Sequence, residues 1–548
     1  MSSSKKKQLR KEQYMTERQI AEKKEAKKLR NYTLTFCIII ALVVSIFVGT
    51  VLSNPIKNVM YKNTKAITVG DYTLTSVDVN YYYIDTVNSY INQYGSAISL
   101  IMDVSKPLNE QVINNETGAT WADNFMESVK QTIKSTYALY DMAVKANHQM
   151  SDAERQRVES NIATMQLYAA YYGYNNLDGY LRAMYGNGAS EKSYRNYLEV
   201  ASMANSYLTA HSETLDYSAE ELLNYQQEAP YNYNSYTFVA CYLKAETFCK
   251  GGTTDDKGNT TYTDAEKAAG LIAAELAAKQ LAAGEYADVL AFNEAVKALE
   301  VNKDKTQVTT TPYDDVLFSE ISTLFADWIV GKVESDDENA EPTFEERKEG
   351  DMTVIPYTTG SGDTETTAGY YVVRYESCND NDFALKNVRH LLVKFTGGTT
   401  NSTTGVTTYS DQEKKTAKDK ADSILADWIA AGDLSENSFA ELAKKHSEDN
   451  AAAGGLYEDV YPGQMVTAFN DWCYDEARKA GDYGIIETEY GYHIMFFVGD
   501  SETTFRNFMI KNVMLNEEMD AWHNGLIEKI ELTVVTLKHI PLDMVLNH

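Results

Sequence analysis

Residues 251–267 read GGTTDDKGNTTYTDAEK, and 146 residues further on the chain writes GGTTNSTTGVTTYSDQEK. An internal repeat constrains a fold more than composition does, because both copies must satisfy the same architecture. The flanks repeat as well. FVACYLK (238–244) lies over VRHLLVK (388–394), FADW (325–328) over FNDW (469–472), and GYYVVRYES (369–377) over GYHIMFFVGDS (491–501). Each copy begins with a β-rich apolar run, passes through the Thr/Gly loop into segments with apolar residues at helical spacing, and ends in two further β-rich runs. The pattern predicts two tandem β-α-α-α-β-β domains, at 231–380 and 387–500. An acidic stretch, 334–346, reads as a solvated insertion in the first.

The rest of the 548 residues must form other domains. Residues 1–31 hold eleven Lys/Arg against four Glu, although the whole chain carries −29. An uncharged run from Tyr32 to Leu52 follows, long enough as a helix to cross a bilayer. With the basic flank on its N-terminal side, the expectation is a single-pass transmembrane anchor at 32–52. Residues 1–31 would then be cytoplasmic and the bulk of the chain extracytoplasmic. The run's length and the lack of an Ala-x-Ala site favour an anchor over a cleaved signal peptide. The acidic remainder argues against nucleic acid as a partner. Four cysteines beyond residue 52 match no zinc spacing and read as free thiols or one incidental bridge.

Residues 53–230 are predicted mostly helical. They open with a strand, a Gly-Asp turn, a second strand and a helix capped by Thr75 or Ser76. Tyr168, Tyr171 and Tyr172 share one helix face, which suits either core packing or an amphipathic lining for unfolded chains.

The copies differ in their polar residues. His390, His493, Asp449 and Met465 of the second stand where the first has Ala240, Tyr371, Asn302 and Ile321. Two histidines on neighbouring strands, both missing from the sister copy together with an acid, mark the second copy as the chemical one. No Gly-rich phosphate loop and no Ser/His/Asp constellation stands out.

HLLVK, FAELAKKHSED, AAAGG, GQMVTAF and TEYGYHI, in that order over about 115 residues, resemble a parvulin-type peptidyl-prolyl isomerase. The whole chain resembles the PrsA/SurA-type extracytoplasmic foldases, with GDYTLTSVDVNYYY and ASEKSYRNYLEV similar to their helical chaperone region. The resemblance implies an α+β chain: an N-terminal transmembrane helix, a SurA/PrsA-like helical chaperone region and two parvulin-like domains. Residues 501–548 would pack back on the chaperone region as a helix and strand. It also implies isomerisation of X–Pro bonds in unfolded exported polypeptides, with no cofactor and no metal. His390 and His493 would form the central imidazole pair, with Asp449 near the substrate carbonyl and Thr488 bonding the histidines. Met465 and Phe469 would line the proline slot, and Tyr457 stands where the family has a leucine. The loop after Lys394 lacks arginine, which argues against a phosphate-directed specificity. The first copy, without the histidines and acid, reads as catalytically dead, either binding clients or spacing the other parts. The runner-up reading is a holdase with little or no catalysis, and a third is a structural scaffold.

Overall fold

The computed structural model describes residues 55–303, 310–333, 343–402, 404–449 and 451–546. The chain divides into two compact units, one holding the chain up to Asp216 together with Val513–His548, the other Tyr217–Asn512. The fold is mixed α/β, and two sequence expectations about it need correction. The run expected to span a membrane, 32–52, lies outside the described residues. Among the described residues no helix is long and apolar enough to cross a membrane, so the described fold holds no spanning helix. The main sheet of each repeated domain also holds one strand more than β-α-α-α-β-β gives it. Each has an edge strand between its second and third helices, Thr310–Leu317 in the first copy and Leu456–Val460 in the second. Pairing on one side only and carrying little apolar periodicity, these strands gave no period-2 signal.

In the first unit, strands Lys65–Val69 and Tyr72–Thr75 form a hairpin. Strand Leu532–Val534 adds to it antiparallel, with Ile67 opposite Val534. Thr75 caps helix Ser76–Tyr94, its side chain and that of Asp78 satisfying each other's backbone N–H groups. Tyrosines Tyr81, Tyr82, Tyr83, Tyr180, Tyr185 and Tyr194 are buried in the core. Asp85 accepts the hydroxyls of Tyr185 (3.0 Å) and Tyr197 (2.9 Å). Burial raises its carboxyl to about 6 even though the two tyrosine hydrogen bonds pull the other way. Of the face tyrosines, Tyr171 is exposed, and Tyr168 and Tyr172 pack partly against the core.

In the second unit, two four-stranded antiparallel sheets share one strand order. The first runs Met352–Thr359, Thr366–Asn379, Ser235–Lys244, Thr310–Leu317, and the second Tyr483–Thr488, Gly491–Thr504, Ala384–Lys394, Leu456–Val460. Their central pairs also share a register. Lys244 lies opposite Gly369, and Lys394 opposite Gly491.

The duplicated loop has a local cause. Gly251, Gly252, Gly397 and Gly398 all have φ between 81° and 92°, a region closed to most side chains. A Cβ on Gly251 or Gly397 would collide with the carboxylate of Glu266 or Glu413. Those carboxylates accept the N–H of Gly252 (3.0 Å) and Gly398 (2.8 Å), and they complete capping boxes with Thr263 and Ser410. One glutamate thus fastens the loop to the start of helix Asp264–Ala282, and its counterpart does so for helix Asp411–Ala431.

Candidate active site

The site is built on the central strands of the second sheet. Strand alternation sends Leu391, Val393, Ile494 and Phe496 to one face, where they pack with Ala421, Trp428 and Phe439 of the helices. The other face carries Val388, His390, Leu392, His493, Met495 and Phe497. Leu392 lies opposite His493 and His390 opposite Met495, so the histidines are diagonal neighbours on one face. Both are buried.

Their ring nitrogens meet, with Nδ1 of His390 3.0 Å from Nδ1 of His493. At one end, Oγ1 of Thr488 lies 2.8 Å from Nε2 of His493. At the other, Nε2 of His390 lies 3.4 Å from Oδ2 of Asp449. The carboxylate end gives the chain its direction, since the threonine hydroxyl can donate or accept. Asp449 is held down to about 2, mainly by the His390 imidazole beside it, so it is an acceptor and His390 carries its proton on Nε2. His390 Nδ1 then accepts from His493 Nδ1–H, and His493 Nε2 accepts from the threonine hydroxyl. Burial, aided by the adjacent His390 ring, pushes the His493 pKa well below its ordinary value, in keeping with a neutral ring.

Each member is positioned by local structure. Thr488 ends an edge strand, and its oxygen accepts the Tyr490 N–H at 3.2 Å in the turn before the His493 strand. Asp449 follows helix Glu436–His446 in a loop stitched to the histidine strand. Leu392 N–H donates to Ser447 Oγ (3.2 Å), Glu448 N–H to the Leu392 carbonyl (2.9 Å) and Lys394 N–H to the Glu448 carboxylate (2.8 Å). Sequence reasoning missed Ser447. The signal was there in Ser447-Glu448-Asp449, where a serine hydroxyl accepts the N–H two residues on, here at 3.1 Å. Gly455, at φ 68°, is also needed, since a Cβ there would strike the carbonyl of His390.

Helix Thr467–Cys473 covers the histidine face. Met465, Phe469 and Tyr457 join one buried cluster with Val388 and Met495. Phe469 stands edge-on to both imidazoles, with centroids 5.3 Å from His390 and 5.8 Å from His493. Tyr457 lies 5.0 Å from the His390 ring and donates its hydroxyl to Asp449 Oδ2 at 3.2 Å. All seven residues singled out in the sequence are therefore brought together. The side chains expected to line a proline slot are buried, with Met465 3 %, Phe469 2 % and Tyr457 9 % exposed. Among the described residues no cluster of three or more His, Cys, Asp or Glu suits a metal ion, and Cys241, Cys249, Cys378 and Cys473 are free thiols.

This sheet and its imidazole pair define a class. Residues 370–499 match the model of the PPIC-type PPIASE domain, so the chain carries a parvulin-type peptidyl-prolyl isomerase domain. The match begins inside the last strand of the first sheet and runs to the His493 strand. The particular relatives are foldases. The chain is 38 % identical over 93 residues to foldase protein PrsA 1 of Listeria innocua, covering 15 % of this chain and 32 % of that protein. It is 31 % identical over 93 residues to foldase protein PrsA 1 of Listeria monocytogenes, with the same coverage. It thus spans about a third of the length of these curated relatives. A crystal structure of the peptidylprolyl isomerase PrsA from Bacillus anthracis also matches, at 21 % identity and TM-score 0.16, over 27 % of this chain and 59 % of that one. The resemblance to parvulin-type foldases read in the sequence is borne out.

Proposed function

We propose that the second repeat isomerises X–Pro bonds in unfolded exported polypeptides outside the cytoplasm, while the first unit holds those clients. The observation that carries this reading is the His390–His493 contact at 3.0 Å, closed at its ends by Thr488 and Asp449. Prolyl rotation breaks no bond and faces a resonance barrier of about 18–20 kcal/mol. A catalyst needs an apolar seat for the ring and fixed dipoles that favour the twisted amide over the planar one. Met465 and Phe469 supply the seat, with the Tyr457 ring closing over it. The imidazole chain supplies the dipoles, each proton held by its neighbour, so that orientation rather than proton transfer is the contribution. Exposed Leu100, Val112, Ile113, Leu167 and Tyr171 in the first unit support client holding. The first repeat, with Ala240 and Tyr371 at the histidine positions, is read as catalytically dead.

A protease-coupled isomerisation assay on the full chain tests the proposal. Catalysis in the wild type, lost in His390→Ala and His493→Ala, is the expected result. The burial of these side chains favours a second reading, a holdase with weak catalysis. Suppressed aggregation of a denatured client without any isomerisation would select it.

A further inference from the structure

The geometry points to Tyr457 as a latch that limits peptide binding, occupying the space the incoming prolyl ring must enter and held there by Asp449. This inference rests on the isomerase reading and adds to it the residue that limits how tightly an X–Pro segment binds. The phenol ring lies 5.0 Å from His390 and 6.5 Å from Phe469, edge-on to Phe469. It thus occupies the space that a pyrrolidine must reach to touch either ring. Its hydroxyl donates to the same carboxylate oxygen, Oδ2 of Asp449, that faces His390 Nε2. An ionised acceptor makes this a charge-assisted bond, stronger than one between neutral groups.

The backbone around Tyr457 is built for local movement. Strand Leu456–Val460 lies at the sheet edge, paired on one side only, and its register against the histidine strand slips between Tyr457 and Val460. Left-handed residues stand on both sides, Gly454 (φ 64°) and Gly455 (φ 68°) before it and Asp459 (φ 53°) after it. The Tyr457 side chain can leave while the two histidine strands stay paired with each other. Opening must precede both the planar and the twisted bound states, so its cost falls on both equally. The latch therefore weakens peptide binding without changing turnover at saturation.

The test uses the full chain as wild type, Tyr457→Phe and Tyr457→Leu, with a short alanyl-prolyl peptide. Exchange spectroscopy by NMR gives the dissociation constant and the catalysed cis/trans rate at saturation separately. Tyr457→Phe keeps the ring and loses the hydrogen bond, so the peptide should bind about 3- to 10-fold tighter, with the saturated rate within about twofold of wild type. Tyr457→Leu removes the ring as well and should bind tighter still. Thermal unfolding confirms that both variants fold. Binding no tighter in either folded variant, or a gain confined to the saturated rate, overturns the latch. Tighter binding with no catalysis in any of the three proteins keeps the latch and sinks the isomerase reading. Absence of binding by all three overturns both.

Discussion

The two repeats share strand order, central register and a glutamate-fastened loop, yet they spend the same sheet face differently. Where the second places His390 and His493, the first has Ala240 and Tyr371 at the matching registers. Tyr371 turns its ring edge-on to Phe325 (5.1 Å) and lies 4.8 Å from Tyr242. The position of Asp449 is held by Asn302, whose side chain bonds the Val296 carbonyl of its own helix segment at 2.8 Å. The helix surfaces diverge too. Ile272 and Leu276 stand 67 % and 57 % exposed on helix Asp264–Ala282, whereas Asp411–Ala431 shows the ion pairs Lys415–Asp419 and Lys418–Asp422. A scaffold can thus be kept while its polar network is exchanged for aromatic packing, because sheet register depends on backbone pairing and apolar alternation, not on which groups face the cleft.

The largest difference should appear in catalysis. His390→Ala or His493→Ala is expected to lower kcat/KM for prolyl isomerisation about 100-fold or more, the scale of losing a preorganised dipole. Tyr371→Phe in the first repeat should leave it within twofold. A comparable loss from Tyr371→Phe would break the contrast. Next comes packing. Phe325→Ala removes a buried ring from the first repeat and should cost about 3–5 kcal/mol in denaturant unfolding while isomerase activity persists.

Acid should then separate the repeats. The folded His493 pKa lies well below its ordinary value, so the unfolded chain takes up a proton that the folded one refuses. Stability from this group is complete above about 6.5 and falls as the pH drops below it. Asp449, held at about 2 against an ordinary 3.8, adds about 2 kcal/mol that is present above pH 4 and lost between roughly 4 and 2. Amide hydrogen exchange should therefore show the strands Ala384–Lys394 and Gly491–Thr504 losing protection on acidification before Ser235–Lys244 and Thr366–Asn379. Simultaneous loss would sink the assignment of a neutral buried His493. The smallest effect is at the surface. Ile272→Lys with Leu276→Glu should shift stability by no more than about 0.5 kcal/mol, read from the denaturation midpoint.

Much of this was legible in residue order. The glycine pairs and capping glutamates of the loop, the alternation of VRHLLVK and GYHIMFF, and the two-histidine difference between copies each follow from local rules that act over a few residues. The edge strands were not legible. Thr310–Leu317 is half polar and Leu456–Val460 spans five residues, and each is defined by its partner strand rather than its own pattern. Ser447 was legible as a turn former, but its bond to the Leu392 N–H, 55 residues away, was not.

The sequence alone determined that the chain repeats one domain and that the second copy carries the imidazoles and acid. Those are statements about residue type and spacing, which covalent order carries directly. Only tertiary structure decided that the imidazoles meet through Nδ1, that Asp449 is shared between His390 and Tyr457, and that the side chains expected at the slot are buried. Each of these is a matter of distance in space rather than order along the chain, set by sheet register and by which side chains win the same buried space.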